Sequence, residues 1–188
     1  MPSKILSAAT IGLDSAPIDV EVDVLSSGLH NFTIVGLPDT AVKESRERVS
    51  SALKNSGFRP PHQCGRITVN LAPADLPKAS PIYDVPIALG FLHATEQLTF
   101  SMEQKLFVGE LALDGTIRIV NGILPIALFA KKSGVTELYV PKENASEAAV
   151  VSDLTVIPVS SLRELIEHLT NQSHIALQKH TAFAASTQ

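Results

Sequence analysis

Residues 66–92 leave the chain little conformational freedom. Ile67, Val69 and Leu71 alternate with Thr68 and Asn70, the pattern of a strand buried on one face. Val85 to Leu92 is apolar without a break and reads as a core helix. Between them, Ala72 to Ile82 carries Pro73, Pro77 and Pro81. Each proline fixes φ and lacks an N–H, so neither a ladder nor a helix runs through this segment. The chain must pass from sheet to core helix over a rigid loop. Such loops often carry chemistry, because the first N–H groups of a helix are unpaired and point outward.

The remaining sequence suits one domain with a substantial core. Its 188 residues are 45% hydrophobic and 18% charged, which argues against disorder. A formal charge of −4 gives no basic excess for coating DNA or an anionic membrane, although a local basic patch remains allowed. The single Cys64 excludes an internal disulfide and fits a reducing compartment. No secretory signal and no membrane-spanning run is visible, so the expected address is cytoplasmic.

In chain order, residues 4–12 read as a first strand. Ile18, Val20, Val22 and Val24 then alternate with Asp19, Glu21 and Asp23. Three acids on one strand face lie about 7 Å apart, too far to close on one ion unaided, and read as a solvated face. Ser26-Ser27-Gly28 predicts a turn, with Phe32 and Ile34 in an antiparallel partner strand. Pro38 and Asp39 open a helix closed by Gly57, with Val42, Val49 and Leu53 inward. Lys43, Glu44, Arg46, Glu47 and Arg48 form its outer face, where alternating charges suit i,i+4 pairing.

Further on, Phe107 to Leu113 reads as a strand, Asp114-Gly115 as a turn, and Ile117 to Val120 as the hairpin partner. A helix is expected over Ile123–Lys132, a strand at Leu138–Val140 and a helical turn after Pro141 with Asn144 as a cap. Another strand follows at Leu154–Val159, then a helix at Leu162–Leu169 capped by Ser160-Ser161. Residues 1–170 form the expected domain, and 171–188 a flexible tail or linker. Hairpins followed by alternating helices and strands predict an α/β (α+β) mixed-sheet, two-layer sandwich.

Few reactive constellations stand out. No phosphate-binding glycine loop and no Gly-x-Ser-x-Gly is present, and the six histidines are scattered. Glu110 and Asp114 on one hairpin offer a weak candidate acid pair, and Cys64 a weak candidate thiol.

Three segments carry a resemblance: Val35-Gly-Leu-Pro-Asp-Thr-Ala-Val-Lys-Glu-Ser-Arg-Glu-Arg-Val49; Val69-Asn-Leu-Ala-Pro-Ala-Asp-Leu-Pro-Lys78 continuing to Asp84-Val-Pro-Ile-Ala-Leu-Gly90; and Phe107-Val-Gly-Glu-Leu-Ala-Leu-Asp-Gly115 with Pro141-Lys-Glu-Asn144. Together they resemble the N-terminal domain of the magnesium-chelatase-like AAA+ ATPases of the YifB/ComM family. That resemblance implies a fold related to the Lon proteolytic domain and to a ribosomal-protein-type β-α domain. It also implies a following ATPase module, hexameric assembly, and, in some members, DNA branch migration during natural transformation. DNA would meet the ring rather than this domain, no membrane is implied, and ATP and magnesium would sit in a module whose motifs this chain lacks. The chain then looks like an excised or naturally short N-terminal domain.

The Lon relationship raises the question of peptide cleavage. Lon-type proteases use a serine nucleophile in a Pro-Lys-Asp-Gly-Pro-Ser-Ala-Gly loop and a lysine base in a Gly-Gly-Leu-Lys segment. The corresponding places hold Ile82 and Leu124, which supply neither an attacking oxygen nor a proton acceptor. Lys78 and Ser80 lie nearby but out of register, and nothing in the sequence marks a buried setting for Lys78. Ala79-Ser80 replaces the family's usual Glu-Gly, which puts a positive φ there in doubt. The expected role is non-catalytic: assembly or substrate engagement through the loop residues Pro77, Lys78, Ser80, Tyr83 and Asp84, or through Lys43, Arg46 and Arg48. A peptidase with a rearranged Ser/Lys site is the alternative, and a nucleic-acid-binding module the second.

Overall fold

The computed structural model describes residues 1–182. The chain opens with β1 (Ser3–Ile11) and β2 (Asp14–Leu25), an antiparallel hairpin in which Ser3 faces Val22 and Ile11 faces Asp14. A short strand β3 (Asn31–Val35) follows, then α1 (Thr40–Lys43) and α2 (Ser45–Asn55). Strand β4 (Arg66–Ala72) completes a four-stranded sheet of order β1-β2-β4-β3.

The antiparallel partner expected for β2 after the Ser26-Gly28 turn is not β3. β4 inserts between them, antiparallel to β2 and parallel to β3. The helix between β3 and β4 is the reason: a strand–helix–strand unit returns its second strand parallel to the first. The expected single helix from Pro38 also breaks at Glu44. Asp39 caps the first piece, its carboxylate accepting from Val42 N at 2.9 Å.

Helix α3 (Asp84–Ala94) is buried along almost its whole length, from Asp84 through Leu92. A helix apolar all round needs partners on every side. It packs on β1 and β2 on one side and against α2 and a short strand, β6 (Glu110–Leu111), on another. Pro86 sits in its first turn, where a missing N–H leaves no bond unmade.

The expected strand Phe107–Leu113 divides at Val108-Gly109. Its first part, β5 (Lys105–Phe107), joins a parallel sheet of order β5-β8-β9 with β8 (Glu137–Pro141) and β9 (Thr155–Val159). The second part, β6, pairs antiparallel with β7 (Ile117–Arg118) across the Asp114-Gly115 turn. Gly109 marks the break. Its N–H donates to Ile82 O at 2.9 Å and its carbonyl accepts from Val85 N at 3.1 Å. A Cβ there would stand 2.8 Å from Val85 Cγ2.

Helix α4 (Ile123–Lys132) packs on β1, β2 and β8. A short helix α5 (Ala145–Ala148) packs against β8 and β9, and α6 (Leu162–Leu169) against β9. Ser161 caps α6 as expected, accepting from Glu164 N at 3.2 Å. Asn144 does not cap α5. Its amide instead reads the backbone of Val120 in both directions, at 2.9 and 2.8 Å. The sheets are mixed and helices cover one face of the four-stranded sheet, giving the α+β sandwich.

Of the expected tail, 183–188 lie outside the described residues. Residues 171–182 run back over the domain: Ile175 N donates to His168 Nδ1, Gln178 N to Val156 O and Thr181 N to Ala149 O. Polar composition hid this strap, because main-chain donors hold it, one each to α6, to β9 and to the residue after α5.

Gly36, at φ +101°, makes the closest approach in the sheet: a Cβ would lie 2.2 Å from Leu71 O. Gly36→Ala is therefore expected to destabilise the domain by about 3 kcal/mol or more, adding backbone clash to left-handed strain. Urea unfolding followed by circular dichroism measures it.

Candidate functional site

The loop between β4 and α3 is stitched to the segment after β3. Lys78 N donates to Leu37 O at 3.1 Å, and Asp39 N donates to Lys78 O at 2.9 Å. These bonds make a separate parallel bridge between Pro38 and Lys78, beyond the end of the β3–β4 ladder. Neither Ala79 nor Ser80 takes a positive φ; Ser80 is extended at φ −131°, so the loop manages without the glycine.

Lys78 lies where sequence reasoning found no buried setting, and it is buried: 1% of the residue remains exposed. Its Nζ donates to Gly36 O at 2.6 Å and to Pro73 O. Burial holds its pKa below the ordinary lysine value, with Asp75 opposing. The correction has a simple origin. The aliphatic stem fills the space under the proline loop while the amine meets two main-chain carbonyls, Gly36 O and Pro73 O, the latter otherwise held, among the described residues, only by Leu76 N at 3.5 Å.

Asp84, the first residue of α3, is the other buried polar group of the loop. Its side chain is fully buried and accepts from Arg48 Nε at 2.6 Å and Nη2 at 3.1 Å, and from Leu111 N at 3.0 Å. Arg48 Nη2 also donates to Ala41 O and Ser45 Oγ. Arg48 therefore leaves the solvated face expected of it. The i,i+4 contact to Glu44 exists, at 3.8 Å, but the Asp84 pair is far tighter. Burial pushes the Asp84 carboxyl up, while Arg48, Ser45 and Leu111 N–H pull it back toward the ionised form. Asp84 in turn raises the Arg48 guanidinium, so the cation persists at every accessible pH.

The candidate interaction loop thus divides. Lys78, Tyr83 and Asp84 are buried, and burial pushes the Tyr83 phenol up. Pro77 is exposed and Ser80 half-buried. Among the described residues, no hydrogen bond joins Ser80 Oγ to Lys78 Nζ, whose acceptors are both carbonyls. Ile82 is buried in the core, and Leu124 packs against it half-exposed. Lys43 and Arg46 stay at the surface, Arg46 Nη1 donating to Phe32 O at 3.3 Å.

The weaker candidates separate as well. Asp114 Oδ1 accepts from Thr116 N and Oγ1, which lowers its pKa and fixes the hairpin turn. Glu110 instead lines an open cavity of about 720 Å³ with Arg118, Lys142 and Glu143. Asp19 pairs with Lys4 at 2.7 Å and Glu21 accepts from Asn70, so that face is a network of surface pairs. Cys64 is buried, its thiol against Pro60 O at 3.5 Å. Sequence reasoning missed the Arg48–Asp84 pair, and the only signal was an acid opening an otherwise apolar helix.

The mixed α/β sandwich with its proline-rich strand-to-helix loop is similar in sequence to part of the Lon proteases. The chain is 27% identical over 173 residues to Lon protease 1 of Bacillus subtilis, covering 87% of this chain and 22% of that protein. The family described as subunit ChlI of Mg-chelatase matches residues 20–144, and the chain belongs to that family. It is 45% identical over 174 residues to competence protein ComM of Haemophilus influenzae, covering 92% of this chain and 33% of that protein. It is 46% identical over 151 residues to the uncharacterized protein YifB of Escherichia coli, covering 80% and 29%. The chain spans about a third of the length of these relatives.

Arg48→Met strands a buried carboxylate and is expected to lower stability by about 3–5 kcal/mol, partly recovered by adding Asp84→Leu, as denaturant unfolding of single and double variants will show. Lys78 gives a pH signature of opposite sign to a salt-bridged lysine. Its folded pKa lies below 10.5, so the folded state binds fewer protons than the unfolded one in that window. Stability from this group rises as pH climbs toward 10.5 and falls as pH drops through the folded value. Lys78→Met is expected to flatten that slope, measured as the wild-type-minus-variant difference in urea midpoint across alkaline pH.

Proposed function

We propose that this domain is a non-catalytic module of a Mg-chelatase-like ATPase, acting in assembly or in engaging the substrate of a ring. One observation carries this reading. The lysine nearest the dyad place spends its amine on Gly36 and Pro73 carbonyls, while Ile82 and Leu124 occupy the places where a Lon-type enzyme keeps its nucleophile and base. A Ser–Lys mechanism needs the amine free to take the serine proton, and here it is held elsewhere. ATP and magnesium belong to an ATPase module outside this chain, as does contact with DNA during branch migration, and the working assembly is a homo-hexamer of the longer protein. The name of the Haemophilus relative supports a link to competence. No helix among the described residues is long and apolar enough to cross a membrane, and the proposed site of action is the cytoplasm.

The peptidase alternative draws support from one feature, the buried lysine with a depressed pKa. Incubation with unfolded casein and with a fluorophosphonate probe decides between the readings. No casein fragments and no labelling are expected; labelling of Ser80, lost in Ser80→Ala, overturns the non-catalytic reading.

A further inference from the structure

Strand β3 is one of the two outer strands of the four-stranded sheet, and its free side is unusually unprotected. Natural edge strands are blunted by lysines, prolines, bulges or brevity. β3 reads Asn-Phe-Thr-Ile-Val, five residues with no charge and no proline. Asn31 N donates to Gly65 O, toward β4. Main-chain groups alternate in direction along a strand, so those of Asn31, Thr33 and Val35 serve β4, and those of Phe32 and Ile34 point outward. Among the described residues, the outward groups have one partner, Arg46 Nη1 on Phe32 O at 3.3 Å. The N–H groups of Phe32 and Ile34 and the carbonyl of Ile34 are left open. Beside them, between β3 and α2, lies a cavity of about 360 Å³ lined by His30, Phe32, Arg46, Glu47, Ser50 and His62. Val35 and Leu37 stand exposed where the strand ends, at 42% and 54%.

We propose that this edge binds an extended polypeptide carrying a carboxylate, which adds to the sheet as a further strand beside β3. Main-chain bonds to Phe32 and Ile34 supply affinity that does not depend on sequence, which suits a module that engages varied unfolded segments. Arg46 supplies the preference for acid. It now occupies Phe32 O as a stand-in, and an incoming N–H that takes this carbonyl frees the guanidinium for a carboxylate on the added strand. Among the described residues, Arg46 is the one cationic side chain lining the cavity, and Glu47 lines it too. The choice of a polypeptide ligand rests on the substrate-engaging reading above; the open edge does not.

Fluorescence anisotropy with a labelled Thr-Val-Glu-Val-Thr-Asp peptide tests it. Saturable binding is expected, roughly tenfold weaker when alternate peptide nitrogens on the pairing side are methylated, because strand addition requires those donors. A peptide with Lys in place of the acids is expected to bind several-fold more weakly. Arg46→Ala is expected to erase that difference while keeping the loss on N-methylation. Equal binding of the methylated peptide, or no saturation by about 1 mM, overturns the proposal. So does a stable dimer in sedimentation velocity that excludes the peptide, which assigns the edge to a second copy, or tighter binding of single-stranded DNA competing for it. Cleavage of the peptide counts against the non-catalytic reading alone and is scored separately by mass spectrometry.

Discussion

A single buried carboxylate decides how this domain is put together. Asp84 stands where α3 leaves the proline loop, and its two oxygens take donors from two distant parts of the chain, Arg48 on α2 and Leu111 on β6. An ionised carboxylate with no water must be met by a cation and by N–H groups in good geometry, or it does not stay ionised. That requirement fixes the angle at which α2 meets α3 and brings the β6–β7 hairpin against both. Hydrophobic burial alone would not. Val49, Leu53, Ile87 and Phe91 are fully buried, yet apolar surfaces slide over one another with little penalty, whereas a bidentate pair tolerates one arrangement.

Lys78 plays a comparable part on the other side of the loop with weaker chemistry. Two carbonyls neutralise part of an ammonium without opposing its charge, so the group stays under pressure to lose its proton. What it gains in position is considerable. The amine spans from Pro73 to Gly36 while its own backbone brackets Leu37 and Asp39, so a loop that cannot form a ladder acquires one from a neighbouring segment. The prolines prevent regular structure, and this cross-link replaces it.

Much of this was readable from residue order. Alternation marked β2 and β4 because one face of each is buried and the other wet, and Asp114-Gly115 marked the β6–β7 turn because few dipeptides adopt that backbone. The pairing of β3 was also within reach: a helix between two strands forces a parallel return, and the rule was available from the helix placed at 38–57. Other features depended on what is distant in sequence. Arg48 and Asp84 are 36 residues apart, and a charged pattern at i,i+4 looks the same whether one arginine turns inward or not. Asn144 follows a proline as capping residues often do, and only the proximity of Val120 recruits its amide elsewhere. The strap over β9 is held by main-chain donors, which composition does not reveal.

The same loop can therefore be retained for two unrelated reasons. In a peptide-cutting protein such a loop presents a nucleophile; here Ile82 is buried in the core, with the polar residues Lys78 and Asp84 on either side holding the fold. Ile82 fills a core position at 2% exposure. Losing Lys78 or Asp84 would instead take from the Gly36 carbonyl, or from the Arg48 guanidinium, its tightest partner, which is far harder to accommodate. Selection on stability alone is enough to preserve these loop residues. Likeness in this segment is for that reason poor evidence of activity, and the separation of amine from hydroxyl is the better guide.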